Sequence, residues 1–154
     1  MPTRLSPKPI LRLYLATPDC AARYRAELLD EADRLYLSRH PARAAQTGWQ
    51  VSRFLKQQAA ADGFSGNPNF SGSLSHSGGH AVLAVPSADF SVGVDLERLR
   101  PRRFDAWPDW VLQASEVQWL QSHADSANYY ALWTLKEALL KAVGLRLADM
   151  PQVG

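Results

Sequence analysis

The chain has 154 residues, 46% hydrophobic, 10% aromatic and 21% charged, a composition that suits one globular domain and argues against a disordered chain. No apolar run approaches the roughly 18–20 residues that span a bilayer, and the single cysteine, Cys20, excludes an internal disulfide and any multi-cysteine metal site. A formal net charge of +2 is too small for a general nucleic-acid binder.

Residues 10–16 alternate as a short strand would. Thr17-Pro18-Asp19 has the form of a helix start, with an N-cap, a proline at the first helical position and an acid in the first turn, and it predicts a helix to about Leu37. Pro41 opens a second predicted helix, in which Trp49, Val51, Phe54, Leu55 and Ala59 recur at helical spacing. Residues 62–69 form a loop rich in turn residues. Three short β runs follow over 70–75, 80–86 and 90–97, parted by Ser77-Gly78-Gly79 and Ser87-Ala88-Asp89, which suit tight hairpins. Residues 98–109 contain two prolines and read as an irregular connection. Ser115-Glu116-Val117-Gln118 has capping-box form and starts a helix, and Ser126 caps another that runs to about Val143 with Gly144 as its stop. The order β-α-α-β-β-β-α-α predicts an α+β domain with an antiparallel sheet and packed helices.

Charge is unevenly placed. Residues 1–56 hold ten Lys or Arg against five Asp or Glu, and residues 57–154 hold seven against ten. Of the 17 basic residues 13 are Arg, whose planar fork suits phosphate or carboxylate, although a GC-rich coding sequence would give the same bias. The N-terminal residues lack the apolar core of a signal peptide, so the expected location is the cytoplasm, with no membrane and no nucleic acid as partner.

Three segments carry candidate chemistry. In Gly93-Val94-Asp95-Leu96-Glu97, strand alternation puts Asp95 and Glu97 on one face about 7 Å apart, which suits a shared Mg²⁺, although an exposed polar strand face is the commoner meaning of that spacing alone. In Trp133-Thr134-Leu135-Lys136-Glu137-Ala138-Leu139-Leu140-Lys141, Trp133, Glu137 and Lys141 share one helix stripe, which by itself reads first as a surface Glu–Lys pair beside a packed Trp. In Ser73-Leu74-Ser75-His76-Ser77-Gly78-Gly79-His80, hydroxyls and free N–H groups suit an anion, and the same residues suit a hairpin turn with one partly buried histidine.

Taken together and in order, Ser75-His76-Ser77, the Gly93 to Glu97 run and the Trp133 to Gly144 run resemble the 4′-phosphopantetheinyl transferase superfamily over about residues 34–147. The match is most similar to its larger, pseudo-dimeric class, which activates peptide and polyketide synthases. The resemblance implies a 4′-phosphopantetheinyl transferase-like fold, with 1–86 as an N-terminal half and 90–154 as a partial C-terminal half carrying a metal site. It implies that Asp95, Glu97 and Glu137 hold Mg²⁺ against the pyrophosphate of coenzyme A, and that Lys141 faces the same phosphates. It implies that His76, with Ser75, contacts the 3′-phosphate, and that Arg39 and Arg43 face the nucleotide. The implied partner is an acyl or peptidyl carrier protein, whose serine receives the phosphopantetheine with Glu137 as base and Lys141 as charge neutraliser; Arg98, Arg100, Arg102 and Arg103 suit docking of an acidic carrier or a solvated loop alike.

Members of the larger class continue well past this helix, whereas only ten residues follow Gly144 here. The second half therefore reads as incomplete, which fits a truncated chain, a naturally short enzyme or a degenerate paralogue that binds coenzyme A without transfer. The uncovered apolar surface would favour a homo-oligomer. A general interaction module, in which every motif is structural, is the reading from outside the enzymes.

Overall fold

The computed structural model describes residues 10–64, 72–87, 90–104 and 111–154. Strands β1 (Leu11–Ala16), β2 (Ser73–Ser77) and β3 (His80–Pro86) form an antiparallel sheet in the order β1-β3-β2. Its register sets Leu13 opposite Ala84 and Ser73 also opposite Ala84, so Leu13, Ala84 and Ser73 share a face, and Tyr14, Leu83 and Leu74 share the other. Gly78 and Gly79 close the β2–β3 hairpin with φ of 58° and 82°, the conformation a two-residue turn of primed type requires and glycine adopts freely.

Helix α2 (Thr47–Ala59) covers the Leu83 face. Its Val51, Phe54, Leu55 and Ala59 pack with Ala16, Ala81, Leu83 and Val85 in one buried cluster. Helix α1 (Glu31–Arg39) is tied to α2 by charge. Asp33 is buried, accepts from Arg53 Nε and Nη2 at 3.0 and 2.8 Å through Oδ1, and pairs through Oδ2 with Lys56 at 2.5 Å. A second cluster gathers Val111, Leu140 and Met150 where α4 (Ser126–Val143) meets the turn Leu147–Gln152. Helix α3 (Ala114–Ser122) joins α4 through an ion pair between Glu116 and Lys136.

The α+β class and the antiparallel sheet stand as expected, and several boundaries move. The helix expected from Thr17 to Leu37 is broken: Pro18–Arg23 and Ala26–Leu28 are 3-10 turns, Tyr24 and Leu29 are extended, and the α-helix begins only at Glu31. Asp30 caps that start by accepting from Asp33 N, whereas Thr17 gives its hydroxyl to Asp19 and caps nothing. Residues 41–45 form a 3-10 turn before α2. The α3 cap is Gln113, with Glu116 reaching back to its N–H at 2.7 Å, in place of Ser115; the α4 cap is Asp125, one residue before Ser126. Gly144 stops α4 in the left-handed conformation, as expected. The strand expected over 90–97 does not form; β2 meets this segment through serine hydroxyls. Ala60–Phe64 form a π-helical turn after α2 where the 62–69 loop is expected to begin, and the start of the 98–109 connection is irregular as expected; residues 65–71, 88–89 and 105–110, on which the rest of those expectations and the second hairpin fall, lie outside the described residues.

Leu11, Leu13 and Leu15 of β1 remain exposed on the face away from α2, and on α4 Leu135, Leu139 and Val143 remain exposed while Leu140 is buried. Among the described residues no helix is long and apolar enough to cross a membrane.

Candidate active site

The site forms where segment 93–98 passes between β2 and α4. Gly93 lies against the α4 backbone: a Cβ there would stand 1.7 Å from Ala138 O and 2.8 Å from Ala142 N. Its φ is not positive, so space rather than conformation requires glycine. That close approach brings Lys141 Nζ to 3.2 Å from Val94 O and 2.7 Å from Asp95 Oδ1.

The Asp95 side chain is 6% exposed. Its Oδ1 also accepts from Ser75 Oγ at 2.7 Å, whereas its Oδ2 is buried and has no hydrogen-bond partner among the described residues. A buried carboxylate oxygen left without a donor is costly and marks a place for a proton or a cation. Glu97 accepts from Ser77 Oγ at 3.1 Å. Glu137, on α4, belongs to the same neighbourhood: burial raises its carboxyl pKa above the ordinary value, Lys141 opposes that, and the Asp95 and Glu97 charges add to it. Among the described residues no three His, Cys, Asp or Glu side chains gather closely enough to form a ready metal cage. The donor set nonetheless suits a hard cation that takes one or two carboxylates and fills its other positions with phosphate oxygens and water.

His76 leaves β2 on the opposite face from Ser75 and lies over α2, where Gly48 makes room; a Cβ at Gly48 would be 3.0 Å from His76 Nδ1. Partial burial, then Arg53, Arg43 and Lys141, hold the imidazole pKa below its ordinary value. Cations of that number around a neutral ring fit an anion. Arg43 donates to Gln46 Oε1 at 3.0 Å and stays exposed, whereas Arg39 sits exposed at the end of α1 and is not among the charges acting on His76. Of the residues expected at the site, Asp95, Glu97, Glu137 and Lys141 thus come together, His76 and Arg43 form a neighbouring basic group, and Ser75 is buried against Asp95.

Three residues build the site in roles that the motifs do not assign. Arg53 sits on the Trp49 ring at 3.6 Å and adds charge near His76. Ser77 holds Glu97. Lys136, beside Glu137 in the chain, faces α3 and not the carboxylates; its head group is buried on Glu116 at 2.6 Å. The alternating serines of 73–77 were a visible signal for the second, since a polar face on a short strand beside two acids needs a partner.

The sequence model described as the 4′-phosphopantetheinyl transferase superfamily matches residues 91–153, which hold Gly93, Asp95, Glu97, Glu137 and Lys141. Over these residues the chain is similar to that superfamily. It is 36% identical over 86 residues to the 4′-phosphopantetheinyl transferase psf-1 of Bacillus pumilus, covering 50% of this chain and 33% of that relative. It is 31% identical over 83 residues to the 4′-phosphopantetheinyl transferase ffp of Bacillus subtilis, covering 53% and 36%. A longer match, 30% identical over 129 residues, links it to the 4′-phosphopantetheinyl transferase AcpT of Salmonella typhi, covering 70% of this chain and 64% of AcpT. The chain therefore spans about a third of the two Bacillus phosphopantetheinyl transferases and less than two thirds of AcpT. No solved structure matches it closely enough for comparison.

Proposed function

We propose that this chain transfers 4′-phosphopantetheine from coenzyme A to a serine of an acyl or peptidyl carrier protein, in a Mg²⁺-dependent reaction that releases adenosine 3′,5′-bisphosphate. The observation that carries this reading is the meeting of Asp95 with Lys141 at 2.7 Å beside Glu97 and Glu137, on the residues that match the superfamily. Asp95, Glu97 and Glu137 are the residues that would hold Mg²⁺, and the orphaned Asp95 Oδ2 fits such a ligand. A bound Mg²⁺ supplies charge neutralisation at the pyrophosphate.

The chain's own groups divide the remaining work. His76 and Arg43 bind the nucleotide end through its 3′-phosphate, with Arg39 at the rim. Lys141, released from Asp95 as phosphate arrives, neutralises charge on the breaking pyrophosphate bridge. Glu137 accepts the proton of the carrier serine, directly or through one water. The serine oxygen forms a bond to the β-phosphorus, the bond from that phosphorus to the bridging oxygen breaks, and that oxygen leaves with the adenosine bisphosphate.

The test is mass spectrometry of an apo carrier protein incubated with this chain, coenzyme A and Mg²⁺. The expected result is a phosphopantetheine-sized mass gain on the carrier, abolished by chelation and by Asp95→Ala, with circular dichroism of the variant checking that its fold persists. Binding of coenzyme A without any gain would instead mark a non-catalytic relative of the transferases. For His76→Ala, the Michaelis constant for coenzyme A should rise about ten- to a hundredfold, the worth of a charge-assisted contact, while that for dephospho-coenzyme A barely moves. An equal loss with both substrates would show that His76 only supports the fold.

A further inference from the structure

Segment 93–98 and β2 meet through side chains in a repeating pattern. Ser73, Ser75 and Ser77 leave one face of β2, since strand side chains alternate. Their hydroxyls accept from the N–H groups of Val94 at 3.0 Å, Leu96 at 3.3 Å and Arg98 at 3.0 Å. Two of the three also donate. Ser75 Oγ gives its proton to Asp95 Oδ1 at 2.7 Å, and Ser77 Oγ gives its proton to Glu97 Oε2 at 3.1 Å. At the third rung the residue before Val94 is Gly93, which has no side chain to receive one.

A hydroxyl carries one proton and two lone pairs, so it can hold an N–H and a carboxylate at once. Each such serine ties the side chain of one residue to the backbone of the next, which fixes the carboxylate's rotamer more firmly than a backbone ladder would. We infer that Ser75 and Ser77 are positioning residues for Asp95 and Glu97, and that Ser73 is the same rung serving the backbone alone. The inference rests on the proposed cation-binding role of the two carboxylates. It also gives Ser75 a task other than the 3′-phosphate: Ser75 is buried against Asp95 and points to the opposite side of β2 from His76.

Two measurements on the full chain test this. In a titration with Mn²⁺ followed by electron paramagnetic resonance, Ser75→Ala and Ser77→Ala should each raise the dissociation constant about tenfold or more, as lost outer-shell partners do, and Ser73→Ala should leave it within about twofold. Ser77→Thr, which keeps the hydroxyl, should restore binding. Without any metal, the carboxyl ¹³C signal of Asp95 should respond to Ser75→Ala, that of Glu97 to Ser77→Ala, and neither to Ser73→Ala. A wild-type chain that takes up no Mn²⁺ would count against the cation reading, and the carboxyl signals would still decide the positioning. Signals that ignore the partner serine, or a Ser73→Ala chain as weakened toward Mn²⁺ as Ser75→Ala, would overturn it.

Discussion

Gly93→Ala should cost this chain about 3 kcal/mol or more of stability, at the upper end of what an inserted methyl does to a packed interior, and should lose the proposed phosphopantetheine transfer with it. The added Cβ would stand 1.7 Å from Ala138 O, 2.7 Å from Ala138 C and 2.8 Å from Ala142 N. All three are helix backbone atoms, so no rotamer change relieves the overlap and α4 as a whole must move away from segment 93–98. Lys141 rides on that helix, and its 2.7 Å contact with Asp95 and 3.2 Å contact with Val94 O lengthen with the shift. Glu137 moves with them, so the carboxylates lose their common neighbourhood. Denaturant unfolding of wild type and variant, together with the carrier mass assay, reads both effects. A loss of less than about 1 kcal/mol, with transfer preserved, would mean that helix and segment do not approach so closely in solution.

Much of this arrangement was legible in the residues, and the exceptions share a physical cause. Alternation located β1 and helical spacing located α2, because both patterns record which side of an element is buried, whereas the Gly and Ser breaks located β2 and β3 and the start and stop residues located α4. The run 90–97 alternates just as clearly, yet it forms no ladder with β2. Alternation reports an extended backbone and its faces and carries no information on what its N–H groups bond to; here those partners are serine hydroxyls twenty-one residues earlier. The helix expected from Thr17 failed for a related reason. Its start signal is satisfied within one 3-10 turn, and Asp30 supplies a stronger cap only thirteen residues on, with Lys56 of α2 pairing at 2.5 Å to hold it there. At the site, Asp95, Glu97, Glu137 and Lys141 stand out by residue type and spacing. Gly93 stands out only as a missing side chain at the head of an apolar-acidic alternation, and its reason, the α4 backbone, lies about fifty residues away in the chain.

Lys136 was hidden by its neighbours, because a Lys beside a Glu on a helix reads as surface charge until its burial is known. It is 1% exposed, with Nζ 2.6 Å from Glu116 Oε2, and that carboxylate also accepts from Gln113 N at 2.7 Å where α3 begins. One carboxylate therefore caps α3 and pins α4 to it, which sets the rotation of the helix that presents Glu137 and Lys141 to segment 93–98. Taking two charges out of water is expensive, and the pair repays that cost only while both members are present. Lys136→Met or Glu116→Gln alone should thus lose about 3–5 kcal/mol, since each strands the opposite charge in the interior. The combination Lys136→Met with Glu116→Gln should recover most of that loss: no charge is left buried, and the Gln oxygen can still accept from Gln113 N. Urea unfolding of the four chains gives the coupling directly. If the two single losses simply add in the double variant, Lys136 and Glu116 do not act as a pair, and the rotation of α4 must be fixed by the apolar contacts of Leu140 with Val111 and Met150 instead.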